Sequence, residues 1–456
     1  MLRAFWTLSK VIIFVLLLGF IAGQNGQLEI QWRDYTIEAD LGLALLALTL
    51  VIIALLYSHS LFLRVTALPK NIRHILRNRA YRRSHEALTR SLVLMASGDA
   101  KHAAYQAYRA QKLLPDGMSS APAAYIEAQM AGKMGQEERA KLAYKRLLDD
   151  KEGGFLGMKG LMQAEIDKGN YLPALQMAYQ VRASYPKQPW VLKAIYDLEI
   201  RNHLWHKALQ TGEKLAKKKG AHQAGLSQDQ AAIYTVLGAA SLKDGQYEDA
   251  EKSLKKALKA NPFFLPALLN EADLYAATQK NKALEKLIRT SWAHHPHKEL
   301  AAYWGRIAPI NTPKKPDARL KWFEKLVALD PDAVEGQIAA ARAALEDGLW
   351  AQARDYLSRA EELQPQREIY QLWSELEHLS TRDAEAAQLW MRKAATAPVG
   401  PTWVCILTGE TSETWKPFLY EDGPFNTLQW AWPGTTKNKA HGALKAFTND
   451  LLLLGE

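Results

Sequence analysis

Cysteine is almost absent from this chain of 456 residues, which has one, Cys405. A single cysteine excludes intramolecular disulfides and fits a reducing compartment. The chain also lacks the glycine-rich phosphate loop, the dinucleotide fingerprint, the G-x-S-x-G turn and the H-E-x-x-H helix. These absences argue against nucleotide-dependent, flavin-dependent, serine-hydrolase and zinc-protease classes. We therefore predict that the protein is not an enzyme and that it holds no cofactor and no metal.

Charged side chains are scarce in two apolar stretches near the N-terminus, predicted as membrane spans at about residues 7–24 and 41–63. The second stretch holds no Asp, Glu, Lys or Arg, and it is long enough to cross a hydrocarbon core of roughly 30 Å. A cleaved signal peptide is the alternative for the first stretch. We favour an uncleaved hairpin of two transmembrane helices over residues 1–66, with a short, acidic, extended link on the periplasmic side.

Positive charge is concentrated directly behind the second span. From Arg64 to Arg90 the chain has eight Lys or Arg and one acid, Glu86, which supplies +7 of the formal net charge of +10. A flank of this kind stays on the cytoplasmic side. We predict a basic juxtamembrane helix over residues 67–90, and no nucleic-acid partner, because the charge excess abuts a membrane. Its expected contacts with anionic lipid headgroups are Arg64, Lys70, Arg73, Arg77, Arg79, Arg82 and Arg83.

Residues 91–400 show an internal period that predicts tetratricopeptide-like repeats, an all-α solenoid of about eight or nine helix pairs with a concave face. The clearest unit is residues 231–262, with Gly238, Gly245, Ala250 and Pro262 in register. Small residues let two helices approach, and glycine ends the first helix in a left-handed conformation. The other good copies are marked by Gly98, Ala103, Gly135, Ala140, Gly169, Ala174, Gly348, Ala353 and Pro365.

A histidine cluster interrupts the repeats at His294, His295 and His297. Three histidines so close together are candidate ligands of a metal or of haem. Pro296 breaks the helical spacing between them. A solvated turn between repeats is therefore the favoured interpretation.

Residues 401–435 depart from the repeat pattern and have the shape of a two-knuckle metal ribbon. Its four ligand positions would be Cys405, Thr408, Leu419 and Asp422. One thiolate among four positions cannot hold zinc well. We predict a degenerate zinc-ribbon-like segment without metal, or alternatively an unrelated aromatic loop. Residues 436–456 predict a last amphipathic helix that seals the end of the array.

Two spans, a short polar link, a basic exit and helical repeats together resemble the HemY family of Gram-negative bacteria. The resemblance is carried by residues 26–37 (GQLEIQWRDYTI), by the span at 41–56 and by the repeats after Ser84. Phe425, Leu428 and Trp430 stand where alphaproteobacterial members have a Phe-x-x-Leu-x-Trp segment after a cysteine ribbon. The loss of three of the four cysteines departs from that branch and puts a metal role in doubt.

The resemblance implies a place in the bacterial inner membrane and a part in haem or porphyrin metabolism, and it implies no particular reaction. We predict a non-enzymatic inner-membrane scaffold whose N-terminus and repeats are cytoplasmic and whose groove binds protein partners such as haem-pathway enzymes. One alternative is a regulator of envelope biogenesis that delivers a client to a membrane protease. The other is direct porphyrin binding or transfer, with His294, His295 and His297 as candidate axial ligands.

Overall fold

The computed structural model describes residues 26–434, except residues 34, 116, 151–152, 187–188, 218–222 and 422, and four isolated residues before residue 26. The chain divides into two compact units, Met1–Gly157 and Met158–Glu456. The predicted first span at about 7–24, apart from those four residues, and the predicted last helix at 436–456 lie outside the described residues. The hairpin of two transmembrane helices therefore stays a prediction.

Unit 1 begins with a β-hairpin in the predicted extended link. Strands β1 (Gln27–Trp32) and β2 (Tyr35–Asp40) pair antiparallel, and their register joins Gln27 to Asp40 and Trp32 to Tyr35. Arg33 in the turn has a φ of 59°, a left-handed conformation that tight two-residue hairpin turns use. The hairpin leads directly into the first long helix.

Helix α1 (Leu41–Ala96) is continuous over 56 residues, a length of about 84 Å. Its part Leu41–Phe62 is long and apolar enough to cross a membrane, and none of this stretch is buried against the rest of the protein. No other helix within the described residues meets that test. The span and the basic segment were predicted as separate elements, and they lie on one helix.

The end of α1 packs with α2 (Ala100–Leu113) as a first helix pair, and α3 (Ala121–Lys133) packs with α4 (Glu137–Leu148) as a second. Small side chains make the close approach possible, since Ala103, Ala104 and Ala107 on α2 are fully buried. The hydroxyl of Ser84 on α1 donates to the carbonyl oxygen of Ala110 at 2.8 Å. Repeat packing in unit 1 therefore begins near residue 84.

Unit 2 holds the remaining helices and a small sheet. Helices α7 to α18 form six further pairs within the described residues, each with a first and a second helix. The bounds are α5 (Gly154–Asp167, which starts just before the unit boundary), α6 (Tyr171–Ser184), α7 (Pro189–Arg201), α8 (Trp205–Ala216), α9 (Gln223–Lys243), α10 (Tyr247–Ala260), α11 (Leu265–Ala277), α12 (Asn281–Ser291), α13 (Lys298–Arg306), α14 (Ala318–Leu329), α15 (Val334–Glu346), α16 (Trp350–Leu363), α17 (Arg367–Ser380) and α18 (Ala384–Thr396).

The residues that mark the repeats lie where the pattern places them. A Cβ atom on Gly238 would come within 2.8 Å of Leu254 Cγ on the partner helix, so only glycine allows this crossing. Ala250 on that partner helix is fully buried. The turns between paired helices use glycines with φ between 71° and 84°, at Gly98, Gly135, Gly169, Gly245 and Gly348. The predicted helical-repeat fold is confirmed within each unit.

After α18 the chain forms strands β3 (Thr402–Cys405), β4 (Thr411–Ser412) and β5 (Leu428–Ala431). They make an antiparallel sheet in the order β4-β3-β5. A single bridge between Phe418 and Phe425 closes a second hairpin. This small sheet lies within the segment predicted to be ribbon-like, so it does not contradict the all-α repeat array, and the degenerate zinc-ribbon character stays a prediction. We call residues 397–434 the return segment, because it runs back over earlier repeats.

Candidate partner-binding site

The return segment covers part of the repeat face in unit 2 with aromatic rings. Phe418 and Phe425 lie against Trp205 at the start of α8, with ring centroids 6.4 Å and 6.0 Å apart. Trp415 meets Phe264 edge-on at 5.6 Å, just before α11. Aromatic pairs at these separations are stabilised by both buried area and ring electrostatics. The segment is therefore bound to repeats far back along the array.

One polar contact marks how far back the segment reaches. The side-chain amide of Asn426 donates to the carbonyl oxygen of Gln228 in α9 at 3.4 Å. Beside it, Asp229 is largely buried, and this burial raises the pKa of its carboxyl to about 6, while the hydrogen bonds from Asn426 and Tyr196 oppose the rise. The charged form of a buried carboxylate is unfavourable when hydrogen bonds only partly replace its lost hydration.

The predicted ribbon positions do not form a ligand set in the described residues. Cys405 is 1% exposed, and its thiol contacts the hydroxyl of Thr427 at 3.5 Å. Leu419 packs at the edge of the hydrophobic core, and Asp422 lies outside the described residues. No group of three or more His, Cys, Asp or Glu suited to a metal ion is found in the described part of the chain. The sheet is held by Trp403 and Leu428 in the core that also contains Trp292 and Trp304.

The three histidines do not converge on one point. His297 is fully buried, and its Nδ1 accepts the backbone N–H of Glu299 at 3.1 Å, which caps the N-terminus of α13. Burial lowers the pKa of His297 to about 3, so the ring is neutral and Nε2 carries the proton. The ring of His294 lies 4.1 Å from that of Phe263 instead. The expected solvated turn is wrong for His297, whose capping role is signalled by Glu299 in the first turn of the helix.

A cavity of about 560 Å³ lies on the first helices of three successive repeats in unit 2, α13, α15 and α17. The connection 399–402 and Trp430 of the return segment form one of its walls. The helices contribute five small residues to its lining, Ala301, Ala302, Gly305, Ala339 and Ala343. Small side chains make room for the backbone of a ligand to approach the helices. The cavity exists because the return segment stands beside the repeats, so both parts of the chain are needed to form it.

Charged side chains in the lining carry a net positive charge. Five basic residues and three acids contribute, namely Lys298, Arg306, Arg319, Arg342, Arg367, Glu335, Glu346 and Glu368. Arg319 pairs with Glu346, and Arg342 pairs with Glu368 at 2.8 Å. These four are satisfied within the wall and hold neighbouring repeats together.

Three basic residues of the cavity have no carboxylate partner among the described residues. Lys298 stands 5.6 Å from the centroid of the Trp430 ring, and Arg306 stands 4.9 Å from that of Tyr303. Arg367 is exposed, and its backbone N–H donates to the carbonyl oxygen of Pro398 at 2.9 Å. None of the three stands in a recognisable motif, so the sequence alone does not single them out. They leave positive charge available at the rim.

The residues predicted to touch lipid headgroups are spread along α1. Arg77, Arg79, Arg82 and Arg83 are exposed, while the side chains of Arg64, Lys70 and Arg73 lie outside the described part. Arg82 is about 20 residues beyond Phe62, or about 30 Å along a straight helix. That distance exceeds the Debye length of roughly 8 Å at physiological salt, beyond which charges are largely screened from each other. Only a bend, for which Pro69 is the available residue, would bring Arg82 to the bilayer.

Comparison with known proteins supports the N-terminal assignment. The family model described as "HemY protein N-terminus" matches residues 26–135. A probable magnetosome protein, Mms48 of Magnetospirillum gryphiswaldense, is 28% identical over 191 residues. That match covers 42% of this chain and 41% of the relative, so the chain spans less than half the length of this relative.

Several solved structures are similar to the chain at low identity. Human IFIT1 with m7Gppp-AAAA is 16% identical, covering 67% of this chain and 75% of its own, with a TM-score of 0.26. MamA MSR-1 is 19% identical over 36% of this chain and 94% of its own, with a TM-score of 0.22. YrrB, a tetratricopeptide protein, is 17% identical over 36% and 85%, with a TM-score of 0.23. The assignment of the repeat fold therefore rests on the helix pairs of this chain and not on these similarities.

The matched N-terminal region contains the β-hairpin, the apolar stretch and the basic part of α1, the first helix pair and α3. These are the features on which the family resemblance was based. Residues 26–135 of the chain therefore match the N-terminal region of the HemY family.

Proposed function

We propose that the protein is a non-enzymatic scaffold at the bacterial inner membrane that holds protein partners on the first-helix face of unit 2. The observation that carries this proposal is the cavity on α13, α15 and α17, with small residues inside and unpaired basic residues at its rim. Its lining offers arginine side chains, glutamine side chains and backbone groups, which bind and orient a protein ligand. Half of its charged residues are already paired with each other, which leaves the other half to contact a ligand.

Attachment to a membrane allows such a binding surface to act on its partners without catalysing a reaction. A partner held by one anchored protein shares a small volume with membrane-bound neighbours, which raises its effective concentration. The apolar stretch Leu41–Phe62 provides the anchor. We place the N-terminus and the repeats in the cytoplasm, because the basic part of α1 follows the span. The proposed partners are enzymes of haem or porphyrin biosynthesis, and this choice rests on the match of residues 26–135 to the HemY N-terminal region.

Photo-crosslinking in native membranes tests the proposal. We would place a benzoylphenylalanine at Ala339 in the cavity, and as a matched control at Lys286, which is exposed on the second helix α12. Capture of haem-pathway proteins from position 339 and not from position 286 is the expected result. Capture of proteases or envelope-lipid enzymes alone would replace the proposal by the adaptor alternative. An identical set of proteins from both positions would remove the cavity from consideration.

A further inference from the structure

We infer that the cavity on α13, α15 and α17 binds an extended, acidic peptide segment of the partner protein. This inference rests on the proposed scaffold function and adds the chemistry of the bound partner. Lys298, Arg306 and Arg367 border the cavity without a carboxylate partner among the described residues. A ligand that supplies carboxylates to these side chains would form charge-assisted hydrogen bonds, which are stronger than neutral ones.

The cavity has the length of a short extended segment. It runs across the first helices of three repeats, which amounts to two steps between neighbouring helices. Packed helices are about 8–10 Å apart, so the cavity extends over roughly 20 Å. An extended chain advances about 3.3 Å per residue. Approximately six residues of an extended partner therefore fit.

The walls of the cavity differ in polarity, as an extended ligand requires. Ile338 and Phe323 provide apolar surface beside the small side chains of Ala301, Ala339 and Ala343. Side chains of an extended peptide point alternately to opposite sides. One set can therefore lie on the apolar surface while the other reaches the basic rim. The favoured ligand alternates acidic and apolar residues.

The acids in the lining do not oppose this ligand strongly. Glu346 and Glu368 are neutralised by Arg319 and Arg342. Glu335 has no ion pair among the described residues, and burial raises the pKa of its carboxyl. Its negative charge is thus the one feature of the cavity that disfavours an acidic ligand. Removal of that charge should strengthen binding.

The test uses the full chain in lipid nanodiscs and fluorescence anisotropy with a labelled probe. The probe is Glu-Leu-Glu-Leu-Glu-Leu with an amidated C-terminus, and the comparison peptide replaces each glutamate by lysine. We expect the acidic peptide to bind at least tenfold more tightly than the basic one. The double variant R306Q/R367Q should weaken acidic-peptide binding at least tenfold. The matched control K286Q/R392Q removes the same charge from exposed positions outside the lining and should change binding less than twofold.

Glu335→Gln provides a gain-of-binding test that a misfolded variant cannot imitate. It should tighten acidic-peptide binding about two- to fivefold. Equal binding of both peptides, equal losses in the cavity and control variants, or no gain in E335Q would each overturn the inference. If crosslinking from Ala339 still captures haem-pathway proteins in that case, the acidic chemistry is wrong and the scaffold stands. If both experiments fail, the scaffold proposal fails as well.

Discussion

The ring of His297 lies 4.1 Å from the ring of Trp430, centroid to centroid. His297 caps the N-terminus of α13, and Trp430 belongs to β5 of the return segment. The contact thus joins a repeat helix to the strand that follows the whole array. Trp430 also lines the cavity, as does Lys298, the residue after His297.

His297 makes stability depend on pH in one direction. Burial lowers the pKa of His297 to about 3 from an ordinary 6.5. Between these pH values the imidazole is therefore protonated in the unfolded chain and neutral in the folded chain. Stability from this group is present above pH 6.5 and is lost as pH falls toward 3, by about 1.4 kcal/mol per pKa unit. His297→Asn keeps a capping acceptor and removes the titration. Urea unfolding followed by tryptophan fluorescence should show a smaller loss between pH 6.5 and 4; an unchanged slope would contradict this account.

Asp229 makes the folding stability depend on pH in the opposite direction. Burial raises the pKa of Asp229 from an ordinary 3.8 to about 6, so the folded chain holds a proton that the unfolded chain releases. Stability from this group therefore rises as pH falls from above 6 toward 3.8. Asp229→Asn is neutral at every pH and should stabilise the protein at pH 7 by roughly 1–3 kcal/mol. Unfolding at pH 7 and pH 4.5 measures it, and a destabilised variant at pH 7 would show that the charged form is required.

Phe425 fastens the return segment to the repeats. Its ring contacts Trp205 and Phe418, so Phe425→Ala removes packing on two sides. Loss of a large aromatic side chain costs about 3–5 kcal/mol in a core and less at a partly buried site. We expect faster amide hydrogen exchange in residues 411–430 and at the face of α9. Phe263→Ala, at a more exposed ring, is the control, and equal exchange in both variants would contradict a fastening role.

The continuous helix α1 predicts that its basic residues lie at different heights above the membrane. A fluorescent label at position 67 should be quenched by spin-labelled headgroups in nanodiscs, and a label at position 82 should not. The physical reason is the separation of about 30 Å along the helix between Phe62 and Arg82. Pro69→Ala should leave both results unchanged. Quenching at position 82 that disappears in P69A would instead show a helix bent onto the bilayer.

Membrane orientation is tested by an alkaline phosphatase fusion at Ser84, the residue that begins the repeat packing. The enzyme is active only on the oxidising side of the membrane, where its disulfides form. Because the basic segment precedes Ser84, we expect an inactive fusion. A fusion at Arg33, in the hairpin turn between β1 and β2, is the matched control and should be active. Reversed activities would overturn the cytoplasmic assignment.

Several features of the fold are local, and the sequence predicts them well. Gly245 and Gly348 end first helices because a left-handed residue is needed there, and Ala250 is buried because its helix must approach another. The extended link before Leu41 likewise follows from alternating residues. The environment of His297 is harder to predict from the sequence. Its neighbours in the chain indicate a turn, and only the contact with the distant Trp430 shows that the ring is covered.

The amino-acid sequence by itself determined the apolar stretch, the basic exit, the helix pairs and the resemblance of the N-terminal region to a known family, because each depends on residues close together in the chain. Only the tertiary structure decided the path of the return segment and hence the cavity. Asn426 meets Gln228 across 198 residues of chain, and Arg306 and Arg367 border one cavity from different repeats. Such contacts depend on how the helix pairs stack, and no local period records that arrangement.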